Sequence, residues 1–311
     1  MKTRQVFLYA GQGSQKVGMG LDFYQEYPSY RSFLDSLNMR TDFIRLMHEG
    51  PAEELSKTEN TQVCMAIFAA GVTRLLSEHG IEAEAACGLS LGEYGALYAA
   101  GVFTEERYIN ILRFRGKVMM ETGMGIESAM SAVMGCESEV IRDVCESVKS
   151  GYVTVANYNC PGQAVICGEE TAVSEAEEKL KSLGAKRCVR LNVSGPFHTH
   201  YMEPAGKALA AYFKNMHFAK PRIPVAMNVT GTFAGEADLK DLLVRQVQSS
   251  VYLEQDLMSL LDRGYTDFLE IGPGNTMAGF LKRTARKKGV GIRVSSIDST
   301  DDFRKVIENE R

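Results

Sequence analysis

No stretch of the sequence is long and apolar enough to cross a bilayer: residues 63–72, among its longest apolar stretches, fall far short of the ~18 positions a spanning helix needs. Charge of one sign is also missing. Lys and Arg number 35 against 39 Asp and Glu, a net charge of -4, so there is no electrostatic reason to expect a nucleic-acid partner. The seven cysteines are odd in number and form no C-x-x-C pair, which argues for reduced, mostly buried thiols over a disulfide framework or zinc site. The apolar start at residues 6–10 is too short for a signal peptide, and the protein is read as cytoplasmic. Nucleotide fingerprints fail too. The sixth position of a G-x-G-x-x-G beginning at Gly11 is Lys16, and no G-K-[ST] occurs.

What is present is an ordinary globular composition, 45% hydrophobic and 24% charged, with no room for wholesale disorder. At 311 residues the chain exceeds the ~250 to 300 at which one core stops growing, so two lobes are expected. Residues 6–10 end in Gly11 like a buried parallel strand opening into a loop, and residues 85–87 run into Gly88 in the same way. Between them Ile67, Gly71, Leu75 and Leu76 keep helical spacing, and this alternation predicts a doubly wound α/β lobe.

Residues 126–193 read differently. A strand over 129–134 precedes a helix whose face is marked by Val140, Ile141, Val144, Cys145 and Val148. Strands at 153–156 and 164–167 follow, joined through a turn-rich Asn157, Asn159, Pro161 and Gly162. A helix carrying Val173, Ala176, Leu180 and Leu183 and a last strand over 187–193 complete βαββαβ, the ferredoxin-like order. The expected organisation is a large α/β subdomain, residues 1–125 and 194–311, with a small ferredoxin-like subdomain inserted at 126–193.

Gly88-Leu89-Ser90-Leu91-Gly92 matches G-x-S-x-G, the strand-to-helix elbow that pushes a serine hydroxyl outward. The amide of Leu91 would face a developing oxyanion, helped by the helix dipole; a plain helix cap by Ser90 is the bland alternative. A serine nucleophile needs a base. Of five histidines, His48 and His79 have surface-like surroundings, whereas His198 and His200 stand in a small-residue loop beginning at Ser194, so either could serve. A metal role for this H-x-H pair lacks a third ligand. Gly11-Gln12-Gly13-Ser14-Gln15 follows the first strand, at the edge where open α/β sheets bind ligands. Gln12 there fits an anion hole, or the glycines mark only a tight turn. Arg113, Arg115 and Lys117 lie in an apolar, methionine-rich helical stretch expected to be largely buried. A buried guanidinium needs a carboxylate, from an acidic substrate or from a neighbour such as Glu121.

Taken in order, several motifs give a strong resemblance to the malonyl-CoA:acyl-carrier-protein transacylase family over the whole chain. They are Gly11 to Gln15, residues 88–94, residues 113–117, residues 157–163, residues 194–198, Arg245-Gln246-Val247 and residues 270–274. The resemblance implies an α/β-hydrolase-like large subdomain with the ferredoxin-like insertion. It also implies Ser90 as nucleophile, His198 as base, and the amides of Gln12 and Leu91 as oxyanion hole. Arg115 would clamp the malonyl carboxylate, Gln246 would orient His198 through its main-chain carbonyl, and Phe197 would disfavour an α-methyl branch by ~1 to 3 kcal/mol. Where most members carry histidine before the nucleophile, this chain has Leu89, which should alter acyl affinity without removing the chemistry.

The implied partners are malonyl-CoA and acyl carrier protein. The implied state is a monomer without metal or cofactor, CoA and phosphopantetheine entering as parts of substrates. The basic run Lys282, Arg283, Arg286, Lys287 and Lys288 is either a surface for an acidic carrier or a solvated helix end. A serine esterase or thioesterase on the same elbow, and a non-catalytic carrier-docking module, are the alternatives to test.

Overall fold

The computed structural model describes residues 5–37, 42–192 and 195–309; Val193 and Ser194, the end of the last expected strand and the start of the histidine loop, lie outside these. The architecture is mixed α/β, with a parallel sheet and a separate antiparallel one. Among the described residues the strands are β1 (Gln5–Tyr9), β2 (Ala85–Gly88), β3 (Ser128–Met134), β4 (Val153–Cys160), β5 (Gln163–Glu169), β6 (Arg187–Arg190), β7 (Ala226–Met227), β8 (Thr232–Phe233), β9 (Asp267–Ile271) and β10 (Arg293–Ile297).

The parallel sheet has the order β10-β9-β1-β2. Its central strand β1 is buried from Val6 to Tyr9, as a strand covered on both faces must be. Register aligns Tyr9 with Gly88 on one side and with Ile271 on the other. Three loops therefore leave the sheet at one edge: those carrying Gln12, Ser90 and Gly272. The helix Thr58–Glu78 is buried around most of its circumference and packs on the helix Glu105–Gly123, which carries Arg115.

The second sheet has the order β4-β5-β3-β6, antiparallel throughout. Period-2 alternation gives it two apolar faces. Val133, Val155, Ala164 and Ile166 pack on the helices Ser138–Ser147 and Glu170–Ser182, while Met130, Ala132, Ala156, Val165 and Cys167 join the main core. Main-chain hydrogen bonds from Tyr158 to Val251 and from Val251 to Ala156 tie this sheet to the rest of the molecule.

Four local expectations need correcting, the first being Leu183, which lies just past the end of the helix Glu170–Ser182 and is exposed. β4 continues to Cys160, so Asn157 and Asn159 are strand residues and the turn is only Pro161-Gly162; backbone pairing with β5 overrides the turn preference of asparagine. Val140 is exposed and does not belong to the buried face of its helix. β6 ends at Arg190 rather than reaching 193.

Candidate active site

The elbow at Ser90 is dictated by close backbone approach. Ser90 has φ 53 and ψ −104, a conformation that costs of order 1 to 3 kcal/mol and persists only where its surroundings enforce it. A Cβ on Gly88 would lie 2.1 Å from the Gly92 carbonyl carbon, and one on Gly92 would lie 2.2 Å from the Tyr9 oxygen. Only glycine lets the helix Leu91–Ala99 start this close to β1 and β2.

His198, buried and also at positive φ, meets this turn from the far loop. Its Nδ1 lies 2.8 Å from the main-chain oxygen of Gln246 and its Nε2 2.8 Å from Ser90 Oγ. A carbonyl can only accept, so Nδ1 carries the proton and Nε2 is left as the acceptor for the serine hydroxyl. Burial, reinforced by the positive charge of Arg115, pushes the imidazole down to about 4, which keeps it neutral and available as a base.

Arg115 is fully buried at the floor. It donates through Nη1 to Gln62 Oε1 at 2.8 Å, and through Nη2 to Gln246 Oε1 at 2.9 Å and Ser90 Oγ at 3.1 Å. Its guanidinium also lies 5.3 Å from the Tyr94 ring centroid. Among the described residues no carboxylate lies within ion-pair distance of it. The expected neighbour, Glu121, instead faces Lys117 at 3.7 Å, and both Arg113 and Lys117 are exposed. The helix thus buries one cation of three, because its 3.6-residue period turns only position 115 inward.

Above this floor lies a cavity of about 240 Å³, lined by Gln12, Leu89, Ser90, Met119, Met130, Val165, Leu191, Phe197, His198 and Phe280 among others. Gln12 is anchored through its amide nitrogen to Thr58 Oγ1 at 3.1 Å, and Leu91 opens the helix directly after Ser90. Leu89 and Phe197 are both wall residues. Ser90, His198, Gln12, Leu91, Arg115, Phe197 and Gln246 are therefore gathered at one place.

The other histidines are elsewhere. His200 packs on Tyr152 at 4.2 Å between ring centroids, and His48 is half-buried against Tyr24 rather than on the surface. Among the described residues no group of three His, Cys, Asp or Glu could hold a metal, and no helix is long and apolar enough to cross a membrane. In the basic run, Lys287 and Lys288 are paired with Glu254 and Asp262, and Arg283 reaches Gln163 on the cavity wall at 2.7 Å.

Sequence reasoning missed Gln62, Asn228, Asp256 and the structural part played by Glu93, which all surround the floor. Burial holds the Glu93 carboxyl up at about 8. Only Glu93, adjacent to the elbow, had a signal in a motif.

The acyl transferase domain family matches residues 6–301. A malonyl CoA-acyl carrier protein transacylase of Bacillus subtilis (strain 168) is 37% identical over 290 residues, 92% of each chain. A solved MCAT from Streptococcus pneumoniae superposes with TM-score 0.91 at 35% identity, covering 98% of this chain and 100% of the other. A malonyl-transacylase solved in complex with its type II PKS acyl-carrier protein superposes with TM-score 0.90 at 32% identity, covering 99% and 100%.

Proposed function

The chain belongs to the acyl transferase domain family, and on that premise we propose that it transfers malonyl from malonyl-CoA to the phosphopantetheine thiol of acyl carrier protein. The route is ping-pong, through a malonyl ester of Ser90. One observation carries the choice of an acidic acyl group: a desolvated guanidinium, unpaired by any described carboxylate, 3.1 Å from the nucleophilic oxygen. Neutral oxygens of Gln62, Gln246 and Ser90 accept from its two Nη atoms while its Nε has no partner, and nothing there offsets its charge, which a substrate carboxylate would.

His198 Nε2 takes the Ser90 proton as Oγ attacks the thioester carbonyl. The tetrahedral oxyanion is received by the amides of Gln12 and Leu91, and CoA thiolate leaves. His198 passes that proton to the departing CoA sulfur. Neutral again, it takes the proton of the carrier thiol as the sulfur attacks the ester, and returns it to Ser90 Oγ as the malonyl group leaves on the carrier. Gln246 holds the imidazole through its carbonyl and so stands where a triad would have an acid. A bound malonyl carboxylate also offsets the charge of Arg115, which raises the basicity of His198 only when an acidic substrate is present. Phe197 narrows the wall against an α-methyl branch.

In this reading residues 1–125 and 194–311 form the α/β-hydrolase-like subdomain, and 126–193 a ferredoxin-like roof over the cavity. The protein works in the cytoplasm as a monomer, with CoA and phosphopantetheine entering as parts of substrates. Incubation with malonyl-CoA should leave one malonyl group on Ser90 by intact and peptide mass, and Ser90→Ala should leave none. Folded wild type without adduct, or rapid hydrolysis of simple p-nitrophenyl esters unaffected by Arg115→Ala, would overturn the reading in favour of an esterase.

A further inference from the structure

Beneath Ser90 lies a buried lattice of amides and carboxyls of which the proposed chemistry uses only the main-chain carbonyl of Gln246. Asn228 accepts the Ser90 N–H through Oδ1 at 2.8 Å and donates through Nδ2 to the Gly88 carbonyl at 2.8 Å. One side chain thus ties both ends of the turn that holds Ser90 at positive φ. Both bonds require one orientation of the carboxamide. Rotated by half a turn, its NH2 would oppose the Ser90 N–H and its oxygen the Gly88 oxygen.

Asp256, fully buried on the first turn of the helix Leu253–Asp262, accepts the second hydrogen of the same Nδ2 at 2.9 Å. The other oxygen of Asp256 has no hydrogen-bond partner. A buried carboxyl group with a single bond is an expensive way to fill space, since a leucine would pack there without desolvation. Burial holds this carboxyl well above the usual range, and its Oδ2 is the acceptor for Asn228. Glu93 and Gln246 close the lattice. Glu93 accepts from the Asn228 main-chain N–H and from Gln246 Nε2, and Gln246 Nε2 also donates to the Ser90 carbonyl at 2.8 Å.

We infer that Asp256 is a positioning residue: by selecting one orientation of the Asn228 amide it locks the turn at 88–90 and keeps Ser90 Oγ aligned with His198 Nε2. The inference rests on Ser90 being the nucleophile, not on the acyl group being malonyl.

Two single-turnover reactions separate those claims: acylation by malonyl-CoA, and labelling of Ser90 by a fluorophosphonate, which needs an activated serine but no malonyl. In Asp256→Leu both maximal rates are expected to fall on the order of 10- to 100-fold, the scale of a misaligned reacting group, with half-saturation by malonyl-CoA unchanged. Asp256→Asn, whose Oδ1 can accept the same N–H, should return both rates to within about threefold of wild type, because an oxygen acceptor of the same reach is kept opposite Asn228 Nδ2. If the leucine variant does not fold, Asp256→Ser, too short to reach Asn228, is measured instead. Wild-type labelling in the folded leucine or serine variant overturns the inference, as does an equal loss in Asp256→Asn. A wild type that labels but takes no malonyl defeats the malonyl reading alone, and one inert to both reagents defeats both.

Discussion

The floor and the roof of the cavity are held by different forces. At the floor, Ser90, His198, Arg115, Gln246 and Asn228 are fixed by hydrogen bonds of 2.8 to 3.1 Å. Facing them, the side chains of Met130, Ala132, Val165 and Leu191 contribute packing, with Asn157, Asn159 and Gln163 as the polar residues of the antiparallel sheet on the same wall. Moving a proton requires groups aimed within a few tenths of an ångström, and directional bonds supply that aim. Admitting one acyl group over another requires shape, which packing supplies less sharply.

The contrast can be tested by attacking each side. The largest effect is expected at the floor. Arg115→Ala should lower malonyl transfer by roughly 10²- to 10³-fold, the usual loss when one partner of a buried charge pair is removed. Acetyl-CoA, which has no carboxylate to lose, should be nearly unaffected. Arg115→Lys should not restore the rate, because an ammonium cannot copy the guanidinium fork. Parallel kcat/KM measurements with both thioesters check this, and an equal loss for both would break the assignment of Arg115 to the carboxylate.

Next comes pH. The imidazole must be neutral to act as base, and its affinity for protons is pushed down to about 4. Acylation kcat/KM should therefore hold steady as pH is lowered from 7 toward 5, then fall as His198 is protonated near 4. Removing the charge of Arg115 removes one cause of the depression, so the acid limb of Arg115→Ala should lie at higher pH than that of wild type. A wild-type limb near 6.5 would mean that His198 is hydrated.

The smallest effect is expected on the packed wall. Phe197→Ala should raise the methylmalonyl-to-malonyl ratio about tenfold, within the range that a methylene-sized clash allows, with little change in the malonyl rate itself. Competition between the two thioesters measures it. A change above a thousandfold would show that the wall is as rigid as the floor.

Much of this was legible in the chain because it is local. The elbow requires Gly88, Ser90 and Gly92 within five positions, and the strand before it and helix after it are equally short-range signals. Strand and helix order in 128–190 was readable from periodicity, apart from the extension of β4 through two asparagines. Arg115 could be suspected from its apolar setting, but not separated from Arg113 and Lys117 until helix phase was fixed against the neighbouring helix.

The sequence by itself determined which chemical groups are available: a hydroxyl on a glycine-flanked turn, an imidazole on a small-residue loop, a guanidinium in an apolar helix. It also set the alternation that makes the lobe α/β. Only the tertiary structure decided which groups touch. Ser90 meets His198 across 108 positions and Asn228 across 138, and Arg115 meets Gln246 across 131. Contacts at such separations carry no local pattern. The parallel strands bring Ser90 to one edge, and a bridge from Ala86 to Val225 brings Asn228 beside it. His198, Gln246 and Arg115 reach the same place from a loop, a helix end and a helix face, and hydrogen-bond direction then selects, from the amides buried there, the few that can hold a strained serine in place.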